Sequence, residues 1–265
     1  MIIKGNIELV KIPKKVHCVV TSPPYYKLRR YSNEPDEIGW ESTPQQYVDR
    51  LADVFSRISS SMEPSGTLFI NIGDKYLNGS MACVPQRFTL AMLERGFLLK
   101  NNIVWHKRRI MPQSAKNRFT YAHEAILFFV MQRTHLFNYE PVMEDSLWGP
   151  KGKNDRRSNK GVYKYAELRE SKGQGHTAPV VIRDKRLCRD VWDFTTTNSR
   201  SRKHSATFPE SIPERCILAG SDAGDTVLDP FSGSGTVGKV AHSLGRKFIG
   251  IDILPVASEP SKREA

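Results

Sequence analysis

Two short segments at opposite ends of the chain carry residue types and spacings suited to chemistry. Near the C-terminus, Asp229-Pro230-Phe231-Ser232-Gly233-Ser234-Gly235-Thr236-Val237-Gly238 sets three glycines at G-x-G-x-x-G spacing between an apolar run and a helix-like one. A Cβ at those glycines would hold a nucleotide-bearing cofactor away from the backbone amides at the helix start. Asp252 ends the next apolar run 19 residues after Gly233, where its carboxylate can accept from both hydroxyls of a ribose. A glycine loop alone also fits a plain tight turn. The strand, helix and acidic strand end in register argue for the nucleotide.

The second segment is Ser22-Pro23-Pro24-Tyr25, directly after the β-branched run Val16 to Thr21. Two consecutive prolines fix φ and remove two amide donors, so the carbonyls and the Ser22 hydroxyl form a rigid array of acceptors beside the Tyr25 ring. Such an array suits an exocyclic amine on a base. That nitrogen is a poor nucleophile because its lone pair is delocalised; accepting its N–H bonds at Ser22 and the Pro23 carbonyl draws it toward tetrahedral geometry, with Tyr25 stacked on the base. The competing reading is a turn that merely ends a strand.

These segments need strands and helices to hold them. Val16 to Thr21 reads as a buried strand, and Thr43-Pro44-x-Gln46 opens a helix with a capping box and an apolar stripe of Tyr47, Leu51, Val54, Phe55, Ile58 and Met62. Glu63 to Gly66 reads as a turn, Thr67 to Ile72 as a strand, and Pro85 to Arg95 as a helix closed by Gly96. The runs Leu98 to Trp105 and Ala125 to Met131 are close enough in sequence to pair antiparallel. Beyond a polar stretch, Pro213 to Leu218 reads as a helix stopped by Gly220, Thr226 to Asp229 as a strand, Thr236 to Leu244 as a helix and Lys247 to Asp252 as a strand. Only 13 residues follow Asp252, so the strands that complete its sheet must come from the N-terminal part, a circularly permuted order.

The 265 residues carry 40 Lys and Arg against 28 Asp and Glu, and residues 105 to 205 alone hold 21 basic and 10 acidic side chains. The excess positive charge is thus concentrated in one segment, the footprint of a surface that neutralises phosphates rather than of scattered solvated lysines. Within it, Asp145 to Thr177 is a polar, aperiodic insertion, with Lys151, Lys153, Arg156, Arg157 and Lys160 its densest basic group. No run of 18 apolar residues occurs, and the N-terminus lacks a basic-then-apolar signal pattern. Four cysteines without C-x-x-C spacing argue against a zinc site and a disulfide framework and for a reducing compartment. Buried packing is the ordinary reading for Cys18 and Cys83, and routine hydrogen bonding for His106, His123 and His204.

Taken together, these motifs resemble those of the β-class amino-group DNA methyltransferases, in which a Ser/Asp-Pro-Pro-Tyr motif precedes the target-recognition region and a Phe-x-Gly-x-Gly cofactor motif comes last. Thr21 to Tyr25 matches the first and Phe231 to Gly235 the last, with the basic segment between. Gly66 to Asp74, Val104 to Lys107, His123 to Leu127, Asp190 to Trp192 and His204 to Glu210 are further matches. The resemblance implies an α/β, Rossmann-like class I methyltransferase fold: a mixed, mostly parallel sheet with an antiparallel hairpin and permuted motif order. It implies S-adenosyl-L-methionine as cofactor, with no metal, and double-stranded DNA as partner. Catalysis falls to Ser22, Pro23, Pro24 and Tyr25. The cofactor falls to Asp229, Phe231, Ser232, Gly233, Ser234, Gly235 and Asp252, with Thr207, Phe208 and Pro209 closing on it. The concentration of charge, rather than the resemblance, gives DNA contact to Lys151, Lys153, Arg156, Arg157 and Lys160.

The corresponding division is a catalytic part over 1–135, a recognition insertion over 136–200, a cofactor part over 201–254 and a tail or linker over 255–265. Pro255 to Ser258 replaces the family's next helix, which points to a further domain after residue 265. The expected location is the cytoplasm, on the nucleoid in a bacterium, or the nucleus in a eukaryote. Oligomeric state is left open. Serine at position 22, where adenine-N6 enzymes more often carry aspartate, favours cytosine N4 in a restriction-modification setting. An adenine N6 amine and a catalytically silent DNA-binding relative stay as alternatives. Methylation at cytosine C5 would require a cysteine after a proline, and none of the four is so placed. The permuted order disfavours a nicotinamide dehydrogenase.

Overall fold

The computed structural model describes residues 1–13, 15–30, 37–108, 110, 113–146, 185–194 and 209–253. The chain divides into two compact units, one of residues 1–138 with 190–265 and one of residues 139–189. The first is built on eight strands: β1 (Ile2–Lys4), β2 (Val16–Thr21), β3 (Met62–Ile72), β6 (Leu98–Lys107), β7 (His123–Val130), β10 (Val191–Phe194), β11 (Thr226–Asp229) and β12 (Lys247–Asp252). Their order across the sheet is β1-β12-β11-β2-β3-β7-β6-β10. Beyond β3, the short strands β4 (Tyr76–Leu77) and β5 (Ser80–Met81) pair only with each other, as a hairpin. All neighbours in the large sheet pair parallel except β7, which runs antiparallel to both β3 and β6. The C-terminal strands β11 and β12 therefore lie on one side of β2 and β3 on the other, as the permuted order requires.

Side chains alternate along β2 and β3 in the manner of a sheet covered on both faces. Val19, Leu68 and Ile70 join a core with Tyr47, Leu51 and Phe55 of helix α1 (Pro44–Ser59) and Phe88 and Met92 of helix α2 (Val84–Glu94). Cys18, Thr67 and Phe69 face the opposite side, toward the end of helix α3 (Ser211–Gly220). Thr43 caps α1 as the sequence leads one to expect: its hydroxyl accepts from the Gln46 amide at 3.2 Å while the Gln46 side chain accepts from the Thr43 amide at 3.1 Å. Phe55, wholly buried, meets Phe88 edge-on with ring centroids 5.8 Å apart, a contact whose truncation costs about 3–5 kcal/mol. Helix α4 (Thr236–Ser243) links β11 to β12.

Three expectations are corrected. Glu63 to Gly66, read as a turn, continues β3; the pairing with β2 jumps from Val16↔Met62 to Cys18↔Thr67, so Pro64 and Gly66 are absorbed in a bulge. Met62, assigned to the stripe of α1, begins that strand. Gly220 ends α3 as expected, and does so against the sheet. A Cβ there would stand 2.3 Å from Thr67 Oγ1 and 2.8 Å from the Phe69 ring, so the glycine permits close approach. Cys83, read as buried packing, is exposed at the start of α2 with φ +56°, whereas Cys18 is buried.

The stretch 136–200 expected as insertion also contributes β10, hydrogen-bonded parallel to β6, so the separate unit is narrower than that segment. Within this second unit a 3-10 turn (Glu140–Val142) leads into β8 (Met143–Asp145), which pairs antiparallel with β9 (Lys185–Leu187). Glu144 on β8 forms ion pairs with Arg186 at 3.0 Å and Arg189 at 3.4 Å. β8 and β9 thus form a two-stranded stem, with the polar insertion lying between them in the sequence. No helix among the described residues is long and apolar enough to cross a membrane.

Candidate active site

Because β2, β3, β6, β11 and β12 are parallel, their C-terminal ends lie along one edge of the sheet, and the antiparallel β7 begins at that same edge. Ligands of open α/β sheets bind outside this edge, where strand order reverses. The reversal here falls between β11 and β2, and a buried hydrogen bond joins the two strand ends. The Thr21 hydroxyl donates to Asp229 Oδ1 at 2.6 Å. Ser22 to Tyr25 continue from one strand and Pro230 to Gly235 from the other, so the sheet brings together two motifs 208 residues apart at Thr21 and Asp229.

In the glycine loop, Gly233 and Gly235 adopt φ of +49° and +78°, values that disfavour any side chain. The Gly233 amide donates to Asp252 Oδ2 at 2.6 Å, tying the loop to the end of β12. Asp229 Oδ1 also accepts from the Phe231 amide at 3.1 Å. Burial pushes the Asp229 carboxyl up to about 7; the Thr21 and Phe231 hydrogen bonds oppose that and the Asp252 charge adds to it. Gly238, third in the pattern, lets α4 lie on β12, since a Cβ would come within 2.6 Å of the Phe248 ring. Ser232 is buried and its Oγ has no hydrogen-bond partner among the described residues, as is true of Asp74 Oδ2 beyond the end of β3. Buried polar atoms without partners are rare and mark places for a ligand or an ordered water.

The Ser22 turn is held from several sides. Tyr47 of α1 donates to the Pro24 carbonyl at 2.8 Å, and the Tyr25 ring lies so close to Gly73 that a Cβ there would stand 2.7 Å from it. Ser22 Oγ donates to Tyr25 Oη at 3.4 Å. Tyr25 Oη in turn lies 2.7 Å from Glu124 Oε2 and 3.0 Å from Asn71 Oδ1. The Asn71 amide donates to Glu124 Oε2 at 3.1 Å and to the Ala125 carbonyl at 3.2 Å, and Lys107 pairs with Glu124 Oε1. Burial, followed by the Glu124 charge, pushes the Tyr25 phenol well above its ordinary range, so it stays a neutral donor. Ser22, Pro24 and Tyr25 are half-buried, and Pro23 is buried.

Of the residues singled out from sequence, Ser22 to Tyr25, Asp229, Phe231 to Gly235 and Asp252 gather at this edge. Pro209 is buried just before α3, its carbonyl accepting from the Ile212 amide at 3.0 Å. Thr207, Phe208, Lys151, Lys153, Arg156, Arg157 and Lys160 lie outside the described residues, as does His204. His106 meets Asp193 at 3.3 Å and is ordinary surface pairing. Sequence reasoning gave no role to Asn71, Lys107 or Glu124. The available signal was polarity inside apolar strands: Asn71 interrupts Leu-Phe-Ile-Asn-Ile, and Glu124 precedes Ala-Ile-Leu-Phe-Phe-Val. The thiols of Cys18 and Cys216 are buried and pushed up, Cys18 to about 12, which leaves them inert as nucleophiles.

The chain and its fold have counterparts among known proteins. A family model described as DNA methylase, covering N6 and N4 methyltransferases, matches residues 16–262. The chain is 32% identical over 91% of its length to the Type II methyltransferase M.Cfr9I of Citrobacter freundii, of which it spans 78%. It is 30% identical over 89% of its length to M.SmaI of Serratia marcescens, spanning 79% of that protein. Among solved structures, PvuII DNA methyltransferase (cytosine-N4-specific) superposes with a TM-score of 0.66 at 18% identity, covering 96% of this chain and 82% of that one. A DNA modification methylase of Thermus thermophilus, so described provisionally and solved with S-adenosyl-L-methionine, gives 0.62 at 22% identity, covering 96% and 88%.

The fold and the two motifs at its strand ends define a class I, Rossmann-like amino-methyltransferase. The chain belongs to the N6/N4 DNA methylase family, and its enzymatic class is DNA methyltransferase.

Proposed function

We propose that the protein methylates the exocyclic N4 amine of cytosine in double-stranded DNA, using S-adenosyl-L-methionine. The observation that carries this reading is Ser22: a hydroxyl on a turn fixed by two prolines, with its hydrogen directed to Tyr25 and its lone pairs left for an amine. Within the family that the motifs resemble, serine at this position goes with cytosine more than with adenine.

The cofactor residues fit the group. Asp252 offers a carboxylate at the strand end, Gly233 and Gly235 clear the approach to the start of α4, and Ser232 Oγ is a buried polar atom without a partner among the described residues. Bound there, the cofactor supplies an electrophilic methyl on a sulfonium sulfur: the amine lone pair forms the N–C bond as the C–S pair returns to sulfur, leaving the nitrogen one proton in excess. Ser22 Oγ and the Pro23 carbonyl accept the amine N–H bonds and hold the nitrogen for attack. The half-buried Tyr25 ring, fixed by Gly73, gives the extruded base a surface to stack on. Recognition is assigned to the basic insertion beyond the β8–β9 stem.

Nucleoside analysis of DNA from cells expressing the protein tests this reading. N4-methylcytosine is the expected product; N6-methyladenine in its place would turn the reading to the adenine alternative, and no methylated amine at all would favour a silent DNA-binding relative.

A further inference from the structure

Ser22, Tyr25, Glu124 and Lys107 form a chain whose hydrogens all point one way. Ser22 donates to Tyr25 at 3.4 Å, Tyr25 donates to Glu124 Oε2 at 2.7 Å, and Lys107 closes the far side on Oε1. A phenol has one hydrogen, and Glu124 lies closer to it than the Asn71 carbonyl oxygen does. Asn71 cannot reverse the chain, because both of its amide hydrogens are committed, to Glu124 and to the Ala125 carbonyl. A carboxylate at the end accepts only, so each upstream hydroxyl must turn its hydrogen toward it. Ser22 is left with lone pairs alone on its open side.

We propose that Glu124, held by Lys107, is the positioning residue that fixes Ser22 as an acceptor, and that the chain carries away the proton the methylated amine must lose. This rests on the reading that Ser22 receives the target amine. The proton passes from the amine nitrogen to Ser22 Oγ as the Ser22 proton moves to Tyr25 Oη and the Tyr25 proton moves to Glu124 Oε2. Each hydroxyl gains one proton and gives one up, and Glu124 ends protonated beside Lys107. No tyrosinate forms, in keeping with a phenol whose ionisation is suppressed by burial. The arrangement also explains why a half-buried tyrosine in the catalytic turn carries its hydroxyl into a side-chain network rather than to solvent.

The test is a double-mutant cycle with Tyr25→Phe, which keeps the ring, and Glu124→Gln, which keeps the shape. Single-turnover methyl transfer is measured at saturating DNA and cofactor, with cofactor affinity and Tm read on the same preparations. Each single variant is expected to slow transfer by about tenfold or more with cofactor affinity and Tm little changed, and the double variant to be no slower than the worse single one by more than about threefold. Wild-type rates in either single variant, or losses that multiply in the double, would overturn the chain while leaving the methyltransferase reading standing. Should Glu124→Gln fail to fold, Tyr25→Phe decides alone: a wild-type rate overturns the proposal and a slow rate at unchanged cofactor affinity supports it. A wild-type protein that transfers no methyl group to DNA would overturn both readings.

Discussion

Asp229 concentrates the electrostatics of the site in one side chain. Buried at the junction of β11 and β2, it has its carboxyl raised to about 7 from an ordinary 3.8. Between those values the folded protein holds a proton that the unfolded chain releases, so this group's contribution to stability is largest at low pH and falls as pH rises from about 4 to about 7. The size of the fall is on the order of 1.4 kcal/mol for each unit separating the two states. Asp229→Asn, which keeps an acceptor for Thr21 and Phe231, is expected to flatten the dependence in urea unfolding at stepped pH; an equally steep fall in the variant would place its origin elsewhere. At Asp252, removal of the carboxylate by alanine takes away both the acceptor proposed for the ribose hydroxyls and the tie to Gly233. Calorimetry should show the Kd for S-adenosyl-L-methionine rising by one or two orders of magnitude, or about 1.5–3 kcal/mol. An unchanged Kd would reduce the glycine loop to a turn.

At the scale of elements, the sharpest constraint is the seat of α4 on β12. Alanine is a better helix former than glycine by about 1 kcal/mol, yet at position 238 its Cβ would stand 2.6 Å from the Phe248 ring. Gly238→Ala is therefore expected to destabilise by about 1–3 kcal/mol in denaturant unfolding, overpacking outweighing propensity, and a stabilised variant would contradict the close seat. Much at this scale was legible in the sequence. The bounds of β2, β11 and β12, the capping box of α1 and the antiparallel β6–β7 pair were all readable, because apolar runs between turn signals fix a strand and caps fix a helix start. The edge strands β1 and β10 were not, since runs so short carry no usable period. Nor was the link from Tyr25 to Glu124, 99 residues apart, because hydrogen bonds across strands depend on register rather than on spacing. For a related reason the sequence shows Gly220 as a helix end but not the Thr67 side chain that stands opposite it.

For the whole molecule, the distribution of charge sets the expected behaviour on DNA. With 21 basic side chains between residues 105 and 205 and only 10 acidic ones, phosphate contacts should dominate affinity. The association constant is expected to fall with salt at a log-log slope of about −0.9 for each phosphate neutralised. Replacing Lys151, Lys153, Arg156, Arg157 and Lys160 together by glutamine should flatten that slope and weaken binding to all sequences alike, with cofactor affinity intact. A slope equal to that of the wild type would move the phosphate contacts off the insertion. Binding and chemistry are thus proposed to lie in separate parts of the chain, with the strand ends holding the reacting groups and the insertion beyond the β8–β9 stem holding the nucleic acid.

The claim on which all three scales depend is that the Ser22 turn acts on the target amine while the Gly233 loop holds the methyl donor. Ser22→Ala separates the two most directly, because it removes a single oxygen from one motif and leaves the other untouched. Methyl transfer to DNA in a single turnover, with cofactor affinity measured on the same protein, is expected to fall by about 100-fold or more with Kd for S-adenosyl-L-methionine within about twofold of wild type. Transfer at the wild-type rate by Ser22→Ala would contradict the account.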